Sequence, residues 1–293
     1  MKRALGLVAI LAGCSSGSSR PETTPAPAPR RDAPAAEVPP PSEGRGREIA
    51  YAPGDARFVI QRFDTVSVTM PDQSVQRQAF RRSAWVSVRT EEQGSGLRAE
   101  VALDSVEVVG APLPEASLDS ARGTRWTARV AADGEVRDVE ASKESAIGDQ
   151  IGALIQLLFP RLPGNSIRAG ASWSDTTDAP TKADNFDVRE QAIMRYVAGA
   201  PATRRGTSVL PITATGTFTR EGSGTQCMAS VCRTLEMESS GSRRFTYYLG
   251  VDGRPAGLDG TETNDVTIMI PDVGQSLEAT QSGSIQVTPI ASR

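Results

Sequence analysis

Downstream of Pro53, apolar and polar residues alternate with a period of two along most of the chain. Val66, Val68 and Met70 alternate with Thr65, Ser67 and Thr69; Leu97, Ala99, Val101 and Leu103 alternate with Arg98, Glu100 and Asp104. Further on, Phe245, Tyr247, Leu249 and Val251 alternate with Arg244, Thr246 and Tyr248. Period two with one polar face predicts half-exposed antiparallel strands. Asp133-Gly134 and Asp252-Gly253 each separate two such runs, and glycine there readily adopts the positive φ that a tight hairpin needs. Met70-Pro71-Asp72 and Ile270-Pro271-Asp272 read as strand ends, because proline cannot donate to a central ladder. The expected fold is therefore mainly β, an antiparallel meander or open half-barrel, forming a single domain over 53–293.

One segment departs from that rhythm. In SKESAIGDQIGALIQLLF, Ile147, Ile151, Leu154, Ile155 and Leu158 fall on one helical face. The spacing predicts an amphipathic helix at about 143–159, with Ser142 as N-cap and Pro160 as stop, packed on the sheet. TARVAADGEVRDV and YYLGVDGRPAGLD align on their Asp-Gly turns, which suggests two halves with the helix between them. The Pro-Asp pairs do not keep the same offset, and similar hairpins in one meander account for the same facts.

The N-terminus carries a different kind of signal. Lys2 and Arg3 are followed by an apolar run from Ala4 to Ala12 and by small residues up to Cys14, the layout of an export signal. The run is too short to span a bilayer, which takes roughly 20 apolar residues. Leu11-Ala12-Gly13-Cys14 resembles the lipobox of bacterial lipoproteins residue for residue. The resemblance implies that residues 1–13 are removed, that the Cys14 thiol receives a diacylglyceryl group, and that its freed amine is acylated in turn, with palmitate among the acyl chains. Several chains anchor stably where one is marginal. Ser15 after the cysteine implies, within that family, the outer membrane, with the domain facing the periplasm. From Ser15 to about Ala52 the chain is rich in proline and poor in large apolar side chains, so residues 14–52 read as a disordered tether. At about 3.1 Å per residue, roughly 35 such residues reach on the order of 100 Å if stiff.

Composition removes more chemistry than it adds. The 293 residues contain no histidine, which excludes Ser-His-Asp and Cys-His hydrolases, H-E-x-x-H zinc enzymes and zinc deaminases. A net charge of -3 with scattered arginines argues against nucleic acid as a partner. Cys227 and Cys232, in GTQCMASVCRTL, are expected to form a local disulfide in an oxidising compartment; without histidine, a metal or redox site fits less well. Asp175, Asp178, Asp184 and Asp187 could offer oxygens to Ca²⁺, but their spacing matches no EF-hand loop. No cofactor and no metal are expected. Trp85, Trp126 and Trp173 read as core packing rather than a sugar platform.

The body of the chain is similar, over a short stretch, to exported β-rich lipoproteins of uncharacterised role: Phe159-Pro160-Arg161-Leu162-Pro163, then Ile167-Arg168-Ala169-Gly170-Ala171-Ser172-Trp173. In pattern only, a long meander with a covering helix also resembles LolA-type carriers, whose open half-barrel holds acyl chains. The expectation is a membrane-anchored lipoprotein with a non-catalytic binding or structural domain, its partners a membrane through the N-terminal lipid and a lipid or envelope protein. A lipid or lipoprotein carrier with an apolar cavity is the alternative. A carboxylate-based envelope hydrolase is the third.

Overall fold

The computed structural model describes residues 48–70, 74–110, 115–183, 186–228 and 231–290; Leu11-Ala12-Gly13-Cys14, expected to be a lipobox, and most of the expected tether lie outside these. Among the described residues, twelve strands form one antiparallel sheet: β1 (Gly54–Thr69), β2 (Val75–Gln93), β3 (Gly96–Val109), β4 (Arg125–Val130), β5 (Val136–Ala141), β6 (Ser172–Ala183), β7 (Phe186–Ala198), β8 (Ala202–Arg204), β9 (Thr207–Met228), β10 (Val231–Gly250), β11 (Pro255–Ile270) and β12 (Gln275–Ile290). Their order is β5-β4-β3-β2-β1-β12-β11-β10-β9-β7-β6, with β8 paired to β9. At about 3.3 Å per residue, the 22-residue β9 runs to roughly 70 Å.

The order is a meander bent into a ring. β1 pairs with β2 on one side and, over Arg57 to Thr69, with β12 on the other. The two edge strands, β5 and β6, are consecutive in sequence. The molecule is thus an up-and-down half-barrel whose one unmade ladder lies between β5 and β6, where the chain crosses by a helix instead of a turn. Alternation decides which residues face inward: Phe58 and Ile60, Val101 and Leu103, Ile212 and Ala214, and Leu258 and Val287 are all buried on the inner face.

That crossing segment fills the gap. Helix α2 (Ala146–Ile155) is shorter than its periodicity predicted and continues as a 3-10 turn over Gln156–Leu158. The N-cap also differs: the Ser145 side chain accepts from the Gly148 N–H, while Ser142 Oγ accepts from the Arg125 N–H at 3.0 Å. A cap three residues later gives the helix only its amphipathic part. Ile147, Ile151, Leu154, Ile155 and Leu158 bury together with Trp126, Phe58 and Leu103. A second helix, α1 (Glu115–Ala121), has no counterpart in the sequence expectations; seven residues are too few for periodicity to show.

After α2 the stretch Phe159 to Trp173 ties the two edges to each other. The Leu162 N–H donates to Asp133 O at 2.7 Å, and Trp173 Nε1 donates to Arg161 O at 3.1 Å. Arg161 lies 3.0 Å from Asp133, 3.0 Å from Glu135 and 3.8 Å from Asp175 of β6. Glu48–Ala52 runs over the same end of the barrel. Ile49 is buried and exchanges backbone hydrogen bonds with Ile167, so the described fold includes five residues that composition assigned to the tether. This strap lies on both Asp-Gly turns, each with its glycine at φ +85°. A Cβ on Gly134 would fall 2.8 Å from the Tyr51 ring, and one on Gly253 2.1 Å from Ala50 O. Any larger residue would push the strap away.

The ion pairs of Arg161 are part-exposed, so each contributes little globally. Arg161→Met is therefore expected to change the melting temperature by only a few degrees, yet to speed amide exchange at Leu162 and along β6 well beyond that along β10. Equal protection at both places would show that this arginine does not hold the gap shut.

Candidate functional site

The inner face carries charge at mid-height. Glu190 of β7 lies opposite Arg220 of β9, and Arg243 of β10 lies opposite Glu262 of β11. These four strands are neighbours in the sheet, so the ladder register brings four residues from separate parts of the sequence together. Arg220 Nε donates to Glu190 Oε2 at 2.7 Å, while Arg243 Nη1 and Nη2 donate to Glu190 Oε1 and Oε2, each at 3.0 Å. Glu262 completes a quartet, 3.7 Å from Arg220 Nη1 and 3.6 Å from Arg243 Nε. The four side chains are only 12% to 20% exposed. Both guanidinium groups lie over the Phe218 ring, at 4.4 Å for Arg220 and 4.1 Å for Arg243.

A second, smaller ionic contact continues the belt. The Asp64 carboxylate, 2% exposed, accepts from Arg62 Nε at 2.9 and 3.0 Å. The belt divides the inner face into two apolar clusters. One is the large core around Trp126, Ile151, Leu210 and Leu258. The other gathers Val68 and Met70, Phe186 and Val188, Met237, and Val266 and Ile268.

The chemistry of the quartet is that of a strut. Burial pushes the Glu190 carboxyl up, but the hydrogen bonds and charges of Arg243 and Arg220 outweigh it and hold that carboxyl below the ordinary range. A glycosidase acid needs the opposite, a carboxyl kept protonated near neutrality. Glu190 also accepts three hydrogen bonds from the two arginines, which fill most of its acceptor sites. Among the tyrosines, burial pushes Tyr196 up to about 12 and Tyr247 higher still, which leaves both as neutral hydroxyls at any physiological pH.

The outer face carries a shallow trough of about 430 Å³, ringed by Thr217, Thr219, Ser240, Ser242, Thr263 and Asp265. Alternation points these side chains outward. Phe218, Gly241, Asn264 and Thr280 complete its lining.

The residues singled out in the sequence are dispersed. Cys232 is disulfide-bonded and lies opposite Cys227 in the ladder, near the turn of the long β9–β10 hairpin. Asp178 is held by Arg189 and Asp175 faces Arg161; Asp187 is exposed on β7, and Asp184 lies outside the described residues. Among the described residues, no three Cys, Asp or Glu side chains converge as a metal site. Trp126 is buried and Trp173 stacks on Tyr196 at 5.0 Å. The stretch from Phe159 to Trp173 spans the space between the two edge strands.

Sequence reasoning passed over the quartet. A signal was present on β10, where Met237, Ser239, Gly241, Arg243, Phe245 and Tyr247 share one phase. An arginine and two small residues in the middle of an inward apolar phase mark a polar belt, provided the strand is read as continuous. No protein-family model matches the chain, and no curated protein matches it in sequence.

Proposed function

We propose that the protein is a membrane-anchored exported lipoprotein whose β domain binds or braces an envelope partner and performs no catalysis. The observation that supports the non-catalytic part is the quartet: Glu190, a largely buried carboxylate of the inner face, is held by two arginines and kept ionised. The filled α2 end supports an interaction module over an acyl-chain carrier, because Trp126, Phe58, Leu103, Ile151 and Ile155 occupy the space such a chain would need. The anchoring part rests on Leu11-Ala12-Gly13-Cys14. Acyl chains on Cys14, followed by a proline-rich spacer, would hold the domain at the surface of a membrane, on the outer membrane facing the periplasm, while leaving it free to turn.

Labelled palmitate is expected to enter the wild-type chain and to be absent from Cys14→Ser, which should also leave the membrane fraction. Unchanged labelling and fractionation in Cys14→Ser would refute the anchor. Native mass spectrometry of protein extracted gently from its own envelope is expected to give the mass of the acylated chain alone; a co-purifying lipid would instead support carriage.

A further inference from the structure

The outer-face trough lies between two rims of different charge. On one side the ladder registers set Arg244 of β10 between Thr215 of β9 and Thr261 of β11, with Ser284 of β12 beyond. On the other side they set three glutamates, Glu221 of β9, Glu238 of β10 and Glu278 of β12, across the same four strands, with Thr267 of β11 among them. Arg244 and the three glutamates are all exposed, and among the described residues none of them takes part in an ion pair. Glu221 and Glu238 are directly opposite each other in the β9–β10 ladder, and like charges so placed repel. Arg244 shares β10 with Glu238 but lies six positions away, roughly 20 Å along a strand, too far to neutralise it within one copy.

Such a face is its own complement when turned over. A two-fold axis lying in the face and crossing β10 between Ser240 and Ser242 sets each strand against its own copy, running the other way, as an isologous contact requires. Arg244 then meets the partner's Glu238, and the reverse contact follows by symmetry. The same turn brings the Thr215 hydroxyl to the partner's Glu221 and the Ser284 hydroxyl to the partner's Glu278, a donor for each carboxylate. Asp265 comes over the partner's Thr263, so no two like charges meet across these four strands. Because the trough occupies the positions between the two charged rows, the rims touch first and the two troughs face each other across water. Four strands at about 4.8 Å and eight residues at about 3.3 Å give roughly 500 Å² a side, or about 1,000 Å² in all, the lower end for a specific interface. That size and that charge pattern belong to a weak, salt-sensitive pair.

We propose that the outer face of β9 to β12 docks a second copy of this chain, in a two-fold pair held by Arg244 of each copy on Glu238 of the partner subunit. The pair rests on the outer face alone, so it stands or falls apart from the anchoring of Cys14.

A charge swap tests it. Ser242→Cys places a thiol beside the axis, and in the full chain in detergent a short bismaleimide is expected to join two copies at low salt, well above the background given by the wild-type chain. Adding Arg244→Glu, which sets glutamate against glutamate, is expected to cut the yield of covalent dimer about tenfold. Adding Glu238→Arg as well lets the charges pair the other way round, so the yield should return to near its first value. High salt should lower the yield of the Ser242→Cys chain, because the contacts are exposed. A yield no higher than the wild-type background, with or without a small molecule bound in the trough, would overturn the proposal. So would a yield indifferent to Arg244→Glu or to salt, or one that Glu238→Arg does not restore.

Discussion

Arg243→Met is expected to be among the most damaging single changes in the inner face. It removes both donors to Glu190 at 3.0 Å and the neighbour of Glu262, and strips one guanidinium from the Phe218 ring. Glu190 is only 18% exposed, so its charge keeps Arg220 alone as compensation. Breaking a buried pair by removing one partner costs about 3–5 kcal/mol, because the remaining charge stays desolvated. At about 2–4 °C per kcal/mol for a domain of this size, thermal unfolding should fall by roughly 6–20 °C. The double variant Arg243→Met with Glu190→Leu should lose less than the sum of the two single changes, since it leaves no orphaned charge in that pair. A drop of a degree or less in the single variant would show that the quartet contributes little to stability.

The same quartet sets a pH dependence. Glu190 has its folded pKa depressed by Arg243 and Arg220 against the opposing effect of burial. Its contribution is therefore fully present above the unfolded value of about 4.5 and is lost as pH falls through the folded value. Stability of the wild type should hold from neutrality down toward that point and then decline, and the Glu190→Leu, Arg243→Met double variant should decline less. An identical acid profile in the two would remove Glu190 from the account.

Trp126→Ala is the second large effect. The indole is 2% exposed and lies in the core beneath α2, where Gly152 comes so close that a Cβ there would fall 2.8 Å from the indole Nε1. Truncating a buried tryptophan costs about 3–5 kcal/mol through lost transfer energy and the cavity left behind. The loss has a location as well as a size. α2 rests on this ring, so amide protection over Ala146–Ile155 should fall before protection in β9 and β10 does. Trp126→Phe, which keeps an aromatic ring, should cost much less. If α2 kept its protection in Trp126→Ala, the helix would be docked by other contacts than the indole.

These effects follow from parts of the molecule that the sequence disclosed unequally. Phe245, Tyr247 and Leu249 alternate with polar neighbours, and such alternation depends only on the two faces of a strand, so the β class and the inward residues were legible residue by residue. The Asp-Gly turns were legible for the same reason: glycine's freedom at positive φ is a local property. The helix was legible from its apolar spacing, but its start was not. Ser142 and Ser145 are equally good caps in isolation, and what separates them is that the Arg125 N–H already occupies Ser142.

The quartet was out of reach for a different reason. Glu190, Arg220, Arg243 and Glu262 are ordinary charged residues in strands, and nothing within a few positions of any of them says that it faces another. Their meeting depends on which strands are neighbours and on the register of each ladder. The pairing of β1 with β12 joins residues more than 200 positions apart, such as Phe58 and Pro289, and it alone turns a meander into a half-barrel.

The amino-acid sequence by itself determined what short-range chemistry can determine: alternating faces, turns that need glycine, an amphipathic helix, and the exclusion of every mechanism that needs an imidazole. Only the tertiary structure decided that the edges stop short of each other, that Phe159 to Trp173 seals the space between them, and that two arginines and two glutamates share the waist. The reason is physical. Local preferences act over a few bonds, whereas strand order and register are chosen by the burial of a whole inner face at once.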